Sequence, residues 1–133
     1  MTDNEREQLV LRIKNFLALI NEDLTDIEQD HTGLIDFVIN VTIDRVLLYL
    51  NSDTIPTIVE RLIAEVVNNG LTQKLDVISG NDKAINSISD NGQSISFANE
   101  TKKYFASASD NEIFGAFTNI LNRYRRIKVV CTR

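Results

Sequence analysis

The sequence holds few of the residues that build catalytic or metal centres. Its 133 residues include one histidine, one cysteine, one proline, five glycines and no tryptophan. A zinc site made of Cys and His needs more ligands than this chain has. Cys131 cannot form a disulfide within the chain, which fits a reducing compartment.

The remaining candidates for chemistry do not match the motifs that they would need. His31 lies in a polar segment without a nucleophile motif, and we interpret it as a solvated residue. The acids from Asp26 to Asp30 match the start of an EF-hand calcium loop. However, His31 stands where that loop needs glycine, and Phe37 where it needs glutamate. The glycines form no phosphate-binding loop. We therefore expect a protein that is not an enzyme and has no cofactor or metal.

Long apolar runs are also missing. The longest, from Val46 to Leu50, is far too short to cross a membrane. The first residues are acidic and polar, unlike a secretory signal. We expect synthesis in a cytoplasm and no association with a membrane.

The composition is that of one globular domain with an uneven charge. Apolar residues make up 43% and charged residues 25%, which predicts a single domain over 1–133. The net charge of −5 argues against a free nucleic-acid binder. Residues 1–60 hold twelve acids and four bases, a net charge of −8, whereas residues 61–133 hold seven acids and ten bases, a net charge of +3. Such asymmetry is typical of an interaction surface.

Hydrophobic periodicity predicts two helices in the first part of the chain. The first covers about 4–20 and the second about 32–50. The second is the most apolar segment, and its main polar stripe is Asp36, Asn40 and Asp44, spaced four apart. A helix with so narrow a polar stripe must be covered on most sides, so we expect it at the centre of the core.

Two more helices are predicted downstream. One begins near Pro56, which suits the first turn of a helix, and the segment 68–70 (NNG) is expected to end or interrupt it. The last covers about 110–126, where Ser109 and Glu112 have the spacing of a capping box.

Between these helices the pattern predicts a β-hairpin. Asn91-Gly92 is a strong signal for a two-residue hairpin turn, and it predicts two short strands over about 84–97. The fold class is therefore mainly α, with about four helices and one short hairpin. Residues 127–133 are predicted to form an extended basic tail.

The chain has one candidate interaction cluster, at its C-terminal end. It combines basic and apolar side chains: Arg123, Arg125, Arg126, Lys128, Val129 and Val130. The charges alone could offset the dipole of the last helix, or they could contact phosphates. The valines have no evident partner in their own domain, which favours docking on another protein.

Several segments, taken in order, resemble the head–tail connector, or adaptor, family of long-tailed bacteriophages. An N-terminal helix and an acidic connector come first. A long apolar helix follows and ends in a Tyr-x-Asn element, here residues 44–51 (DRVLLYLN), and an Ile-Pro pair opens the next helix at 55–56. A serine-rich hairpin lies at 85–97, and the closing helix ends in Leu-x-x-Tyr-Arg-Arg, here 121–126 (LNRYRR). The resemblance covers nearly the whole chain, and each single motif is short.

The resemblance implies a structural virion protein. It implies a homo-oligomeric ring that matches the twelvefold portal vertex, lies between the portal protein and the tail, and extends the DNA channel. The ring would be a platform for the next neck, stopper or tail-completion protein, and DNA would pass without sequence-specific binding. The candidate cluster would dock on the portal or, alternatively, on the adjacent subunit.

Two other functions stay open on the sequence. The chain could be a small helical DNA-binding or regulatory protein that uses the basic cluster, which predicts DNA binding that weakens steeply with salt. It could also be another neck protein, such as a stopper.

Overall fold

The computed structural model describes the backbone of residues 2–82 and 90–125 and the side chains of residues 2–73 and 98–125. These residues contain seven α-helices and no strand. The helices are α1 (Asp3–Ile20), α2 (Leu24–Asp30), α3 (Leu34–Leu50), α4 (Thr57–Asp82), α5 (Asp90–Ser107), α6 (Asp110–Phe114) and α7 (Thr118–Tyr124), with a short 3-10 turn, Gly115–Phe117, between the last two. The prediction of a mainly helical fold is confirmed.

The core lies where α1, α3, α4 and α5 meet, and α3 and α4 contribute most of its described side chains. Seven apolar side chains of α3 are buried, as expected for the most apolar segment: Leu34, Ile35, Val38, Ile39, Ile43, Val46 and Leu50. The helix ends at Asn51, which has a left-handed backbone (φ 54°, ψ 49°). Asparagine tolerates that conformation better than most residues, so it is well suited to end the helix.

The partly exposed polar stripe of α3 forms ion pairs with α1. The Arg6 guanidinium lies 2.7 Å from an Asp44 carboxylate oxygen, and Lys14 Nζ lies 2.9 Å from one of Asp36. Arg6 and Lys14 are eight residues apart on α1, and Asp36 and Asp44 are eight residues apart on α3. Arg6, near the start of α1, meets Asp44, which is nearer the end of α3. The two helices are therefore antiparallel at this interface. The hydrogen bond to Asp36 raises the pKa of Lys14.

Helix α4 continues through the segment that was predicted to end or interrupt it. Gly70 lies inside α4, and a Cβ atom at this position would overlap Cζ of the Phe105 ring and lie 2.9 Å from Cε2. Phe105, on α5, is completely buried. The glycine is therefore needed for the close approach of α4 and α5, and it does not break the helix. The sequence pattern alone could not distinguish these two roles.

The predicted hairpin is not found in the described residues. Residues 90–97, which were expected to hold its turn and second strand, form the first half of α5. Residues 84–89 of its first strand lie outside the described residues. The second half of α5 is fixed to the core by Phe105 and by the buried Thr101. Extending an existing helix backwards over Asn-Gly costs about 1 kcal/mol, whereas an isolated hairpin is marginally stable.

The predicted last helix is divided in two. Its N-terminal capping box is confirmed, because the Ser109 side chain accepts a hydrogen bond from the backbone N–H of Glu112 and Glu112 reaches back to Ser109. The helix breaks at Gly115, where φ is +51°, a value that glycine adopts at little cost. Helix α7 then continues to Tyr124.

Candidate protein-interaction site

The structure describes two of the six predicted interaction residues. Arg123 lies exposed in the last turn of α7, and Arg125 follows that helix with an extended backbone. Neither forms an ion pair with a carboxylate among the described residues. Arg126, Lys128, Val129 and Val130, like the predicted tail at 127–133, lie outside the described residues. The structure therefore shows only the beginning of this basic segment, at Arg123 and Arg125.

Tyr49 connects the end of α7 to the end of α3. Its hydroxyl donates a hydrogen bond of 2.6 Å to Oδ1 of Asn122. The Arg125 guanidinium carbon lies 4.9 Å from the centroid of the Tyr49 ring, within the range of a cation–π interaction. The same ring packs edge to face against Phe114, with centroids 5.7 Å apart. Tyr49 therefore fixes the point from which the basic C-terminal segment departs.

Arg45, one turn earlier on α3, holds the segment between α5 and α6. One of its nitrogens lies 2.9 Å from an Asp110 carboxylate oxygen, and another donates to the Phe105 carbonyl at 3.3 Å. The side chain is mostly buried, which makes the pair less screened than a fully exposed one. The position of α6 relative to α3 is thus set by a charged contact at the margin of the site.

Leu48 stands between two open depressions at this end of the molecule, and it is 84% exposed. Arg45, Tyr49 and Arg125 line one depression, of about 460 Å³, together with Leu48 itself. Arg6 and Asp44 line the other, of about 560 Å³, again with Leu48. The exposed leucine is thus bordered by ion pairs and by the unpaired Arg125.

The exposure of Leu48 was not predicted, although the sequence contained the signal. Leu48 is four residues after Asp44, so it continues the spacing of the polar stripe that begins at Asp36. A leucine at the next stripe position belongs on the exposed face of α3. The apolar run from Val46 to Leu50 obscured this signal, because it suggested a helix that is covered on most sides.

A second exposed apolar surface lies at the C-terminal end of α1. Leu19 is 82% exposed and Ile20 47% exposed. Three acids follow directly, Glu22, Asp23 and Asp26, and all are exposed with no ion pair inside the described part of the chain. We call these five residues the acidic corner. The predicted acidic connector, residues 21–30, is therefore partly helical, since α2 begins at Leu24.

Three further observations concern a metal site, a membrane span and the single histidine. No three His, Cys, Asp or Glu side chains in residues 2–73 and 98–125 are arranged to hold a metal ion. None of the described helices is long and apolar enough to cross a membrane. His31, which we interpreted as a solvated residue, is half-buried in the turn after α2. What the site offers is an apolar side chain, Leu48, beside arginine side chains, a combination suited to protein contact.

Comparison with known proteins adds no relative: no protein-family model, no curated protein and no solved structure matches the chain.

Proposed function

We propose that the chain is a head–tail connector of a long-tailed bacteriophage, a structural protein that forms a ring between the capsid portal and the tail. The observation that carries the proposal is the order of motifs along the chain, without the hairpin at 85–97, of which residues 90–97 are helical. The contact of Tyr49 with Asn122 and Arg125 adds support, because it joins the Tyr-x-Asn segment (44–51) to the Tyr-Arg-Arg segment (121–126). Two segments that define the resemblance therefore meet in one site.

The charge distribution also supports this function over DNA binding. Arg45, which lines one depression with Arg125, is already paired with Asp110. A duplex-binding domain usually carries a broad basic footprint. A net charge of −5 suits a protein around a channel that must release its DNA.

In this function, the segment from Arg126 to Val130 docks on the portal. Charge steers the encounter and the two valines are buried on docking. The ring extends the DNA channel and presents its far side to the next neck or tail-completion protein. The protein acts in the virion, at the head–tail interface, after assembly in the bacterial cytoplasm.

Reversing the charge of the tail tests the docking role. Arg126→Glu with Lys128→Glu is expected to lower the yield of tailed particles by at least about tenfold in a complementation assay, because like charges then oppose docking. The melting temperature should not change, because the apolar stripe of the last helix stops at Tyr124 in the sequence. Lys102→Glu with Lys103→Glu makes the same charge change at exposed positions of α5 and should leave the yield unchanged.

The alternative for these cations is a purely local role at a helix end. Each cation would then stabilise the fold by about 0.3–1 kcal/mol through its interaction with the helix dipole. That role predicts a slightly lower melting temperature and a normal particle yield. Such a result, with the variant incorporated normally, would reject the docking role.

A further inference from the structure

Leu48 is a large apolar side chain that no described residue covers. It is 84% exposed and lies where two open depressions meet. Leu19, in the last turn of α1, is nearly as exposed, at 82%. A single exposed leucine is ordinary on a protein surface, so its surroundings must indicate whether it has a partner and which one.

The described chain ends at the wall of one of these depressions. Arg125 lines that depression together with Leu48, and its guanidinium is held over the Tyr49 ring. The backbone of Arg125 is extended (φ −69°, ψ 126°), so the chain leaves α7 in an extended conformation. Val129 is four residues farther along, and four extended residues span about 13 Å. The residues after Arg125 therefore begin within reach of Leu48.

The segment that follows has the apolar side chains that could cover a leucine. Residues 126–129 (RIKV) alternate cationic and aliphatic side chains. In an extended segment, successive side chains lie on opposite sides. Ile127 and Val129 therefore share one side, and the two cations share the other. The aliphatic side can be buried on Leu48 while the charged groups stay in water.

The charges around Leu48 suit a basic segment. Two ion pairs line the depressions, each between an arginine and an aspartate, and their charges cancel. Asp53 also lines one depression; it is exposed and has no ion pair within residues 2–73 and 98–125. Apart from Arg125, where the segment begins, the lining charges therefore sum to −1, against two cations in 126–129. Long cationic side chains can lie along an apolar surface and keep their charged groups at its rim.

We propose that residues 126–129 fold back across the depression and cover Leu48 in the free chain. Ile127 and Val129 pack on Leu48, and the two cations lie at the rim beside Asp53. The contact is made within one chain, so it forms at any protein concentration. It stands on the surroundings of Leu48 and does not depend on the proposed function.

The contact has a consequence for docking, and this consequence rests on the proposed function. The segment that covers Leu48 belongs to the one proposed to dock on the portal, and it cannot make both contacts at once. The portal must therefore displace it from Leu48. The apparent affinity for the portal is lowered in proportion to the fraction of molecules in which the segment is free.

Backbone motion, measured by NMR relaxation, tests the contact. In the unmodified chain, the amide order parameters of Ile127 and Val129 should be about 0.8, close to those of rigid backbone. Leu48→Ser removes the apolar surface on which the segment packs. It should lower these order parameters below about 0.6, into the range of flexible backbone. Val129→Ser should lower that of Ile127 in the same way.

Two matched variants are the controls. Leu19→Ser changes an equally exposed leucine that lies thirteen residues after Arg6, about 20 Å along α1 from the depression that Arg6 and Leu48 share. Val130→Ser changes a valine on the opposite side of the extended segment from Val129. Both variants should leave the order parameters of the segment unchanged.

Three results would overturn the contact. The first is a segment that already has order parameters below about 0.6 in the unmodified chain. The second is a segment that stays equally ordered in Leu48→Ser. The third is a set of Leu48 methyl signals that move on dilution while the segment does not respond, because a second copy would then be the occupant.

Binding to purified portal, measured on the same variants, distinguishes the contact from the proposed function. Leu48→Ser should bind the portal at least about threefold more tightly than the unmodified chain, because its docking segment is free. Weaker binding would place Leu48 in the portal contact and overturn the competition. A portal that stays bare with every variant, while the order parameters respond to Leu48→Ser, keeps the contact and refutes the connector. A coated portal with order parameters that do not respond keeps the connector and refutes the contact.

Discussion

Replacing Gly70 with alanine is expected to destabilise the protein by about 1–3 kcal/mol, the range for overpacking a core. Inside a helix this change ordinarily stabilises by about 1 kcal/mol, so the sign itself is informative. The opposite sign is expected here because the new Cβ would overlap the ring of Phe105, which is fully buried in the core. Chemical denaturation, monitored by circular dichroism, measures the difference.

Two further variants make this test specific to the Phe105 contact. Asn69→Ala changes the neighbouring, exposed residue of the same helix and should be neutral or slightly stabilising. Phe105→Leu in the Gly70→Ala background should cost less than the sum of the two single changes, because the smaller side chain relieves the overlap. A Gly70→Ala protein as stable as the unmodified chain would contradict the close packing of α4 on α5.

The substitution Arg12→Met is expected to lower the free energy of unfolding by about 2–3 kcal/mol. The guanidinium of Arg12 makes two hydrogen bonds to the Glu60 carboxylate, at 2.9 and 3.2 Å, and the Glu60 side chain is only 8% exposed. Without Arg12, that carboxylate is left buried and unpaired, which is costly for a charged group. The side-chain hydrogen bond to Glu60 also raises the pKa of Arg12.

The double variant Arg12→Met, Glu60→Met separates this penalty from simple loss of packing. Replacing both partners removes the buried charge, so the double variant should recover most of the lost stability. Arg123→Met, at an exposed arginine without an ion pair in the described residues, should stay within about 0.5 kcal/mol of the unmodified chain. Equal losses of stability in the single and the double variant would show that an unpaired Glu60 carboxylate does not destabilise the fold.

The periodicity of the sequence predicted the three helices that form most of the core. It identified α1, α3 and the start of α4 because their apolar residues recur at helical spacing. It also identified the polar stripe of α3, but not its purpose, since the partners Arg6 and Lys14 lie on another helix. Contacts between distant segments are decided by packing, which periodicity does not report.

The errors concern glycine, whose role depends on its surroundings. Gly70 was expected to end or interrupt a helix, and Gly92 to form a turn, but both lie in helices. Gly115, inside a predicted helix, is the one of the three that breaks it, with φ at +51°. At Gly70 the choice depends on the contact with Phe105, and at Gly92 on the helix that continues after it.

The candidate site was predicted in part. The sequence located the basic cluster, and the structure adds Tyr49 and Leu48 beside its first residues. The acidic corner was recognised only as a charged connector, because the exposure of Leu19 depends on which face of α1 is covered.

Electron microscopy of the purified chain, mixed with portal assemblies encoded by the same genome, tests the proposed function most directly. The account predicts a ring of added density at the tail-facing end of the portal, continuous with its channel. Portals that stay bare at saturating protein, combined with duplex DNA binding that falls steeply with rising salt, would contradict it and favour the DNA-binding alternative.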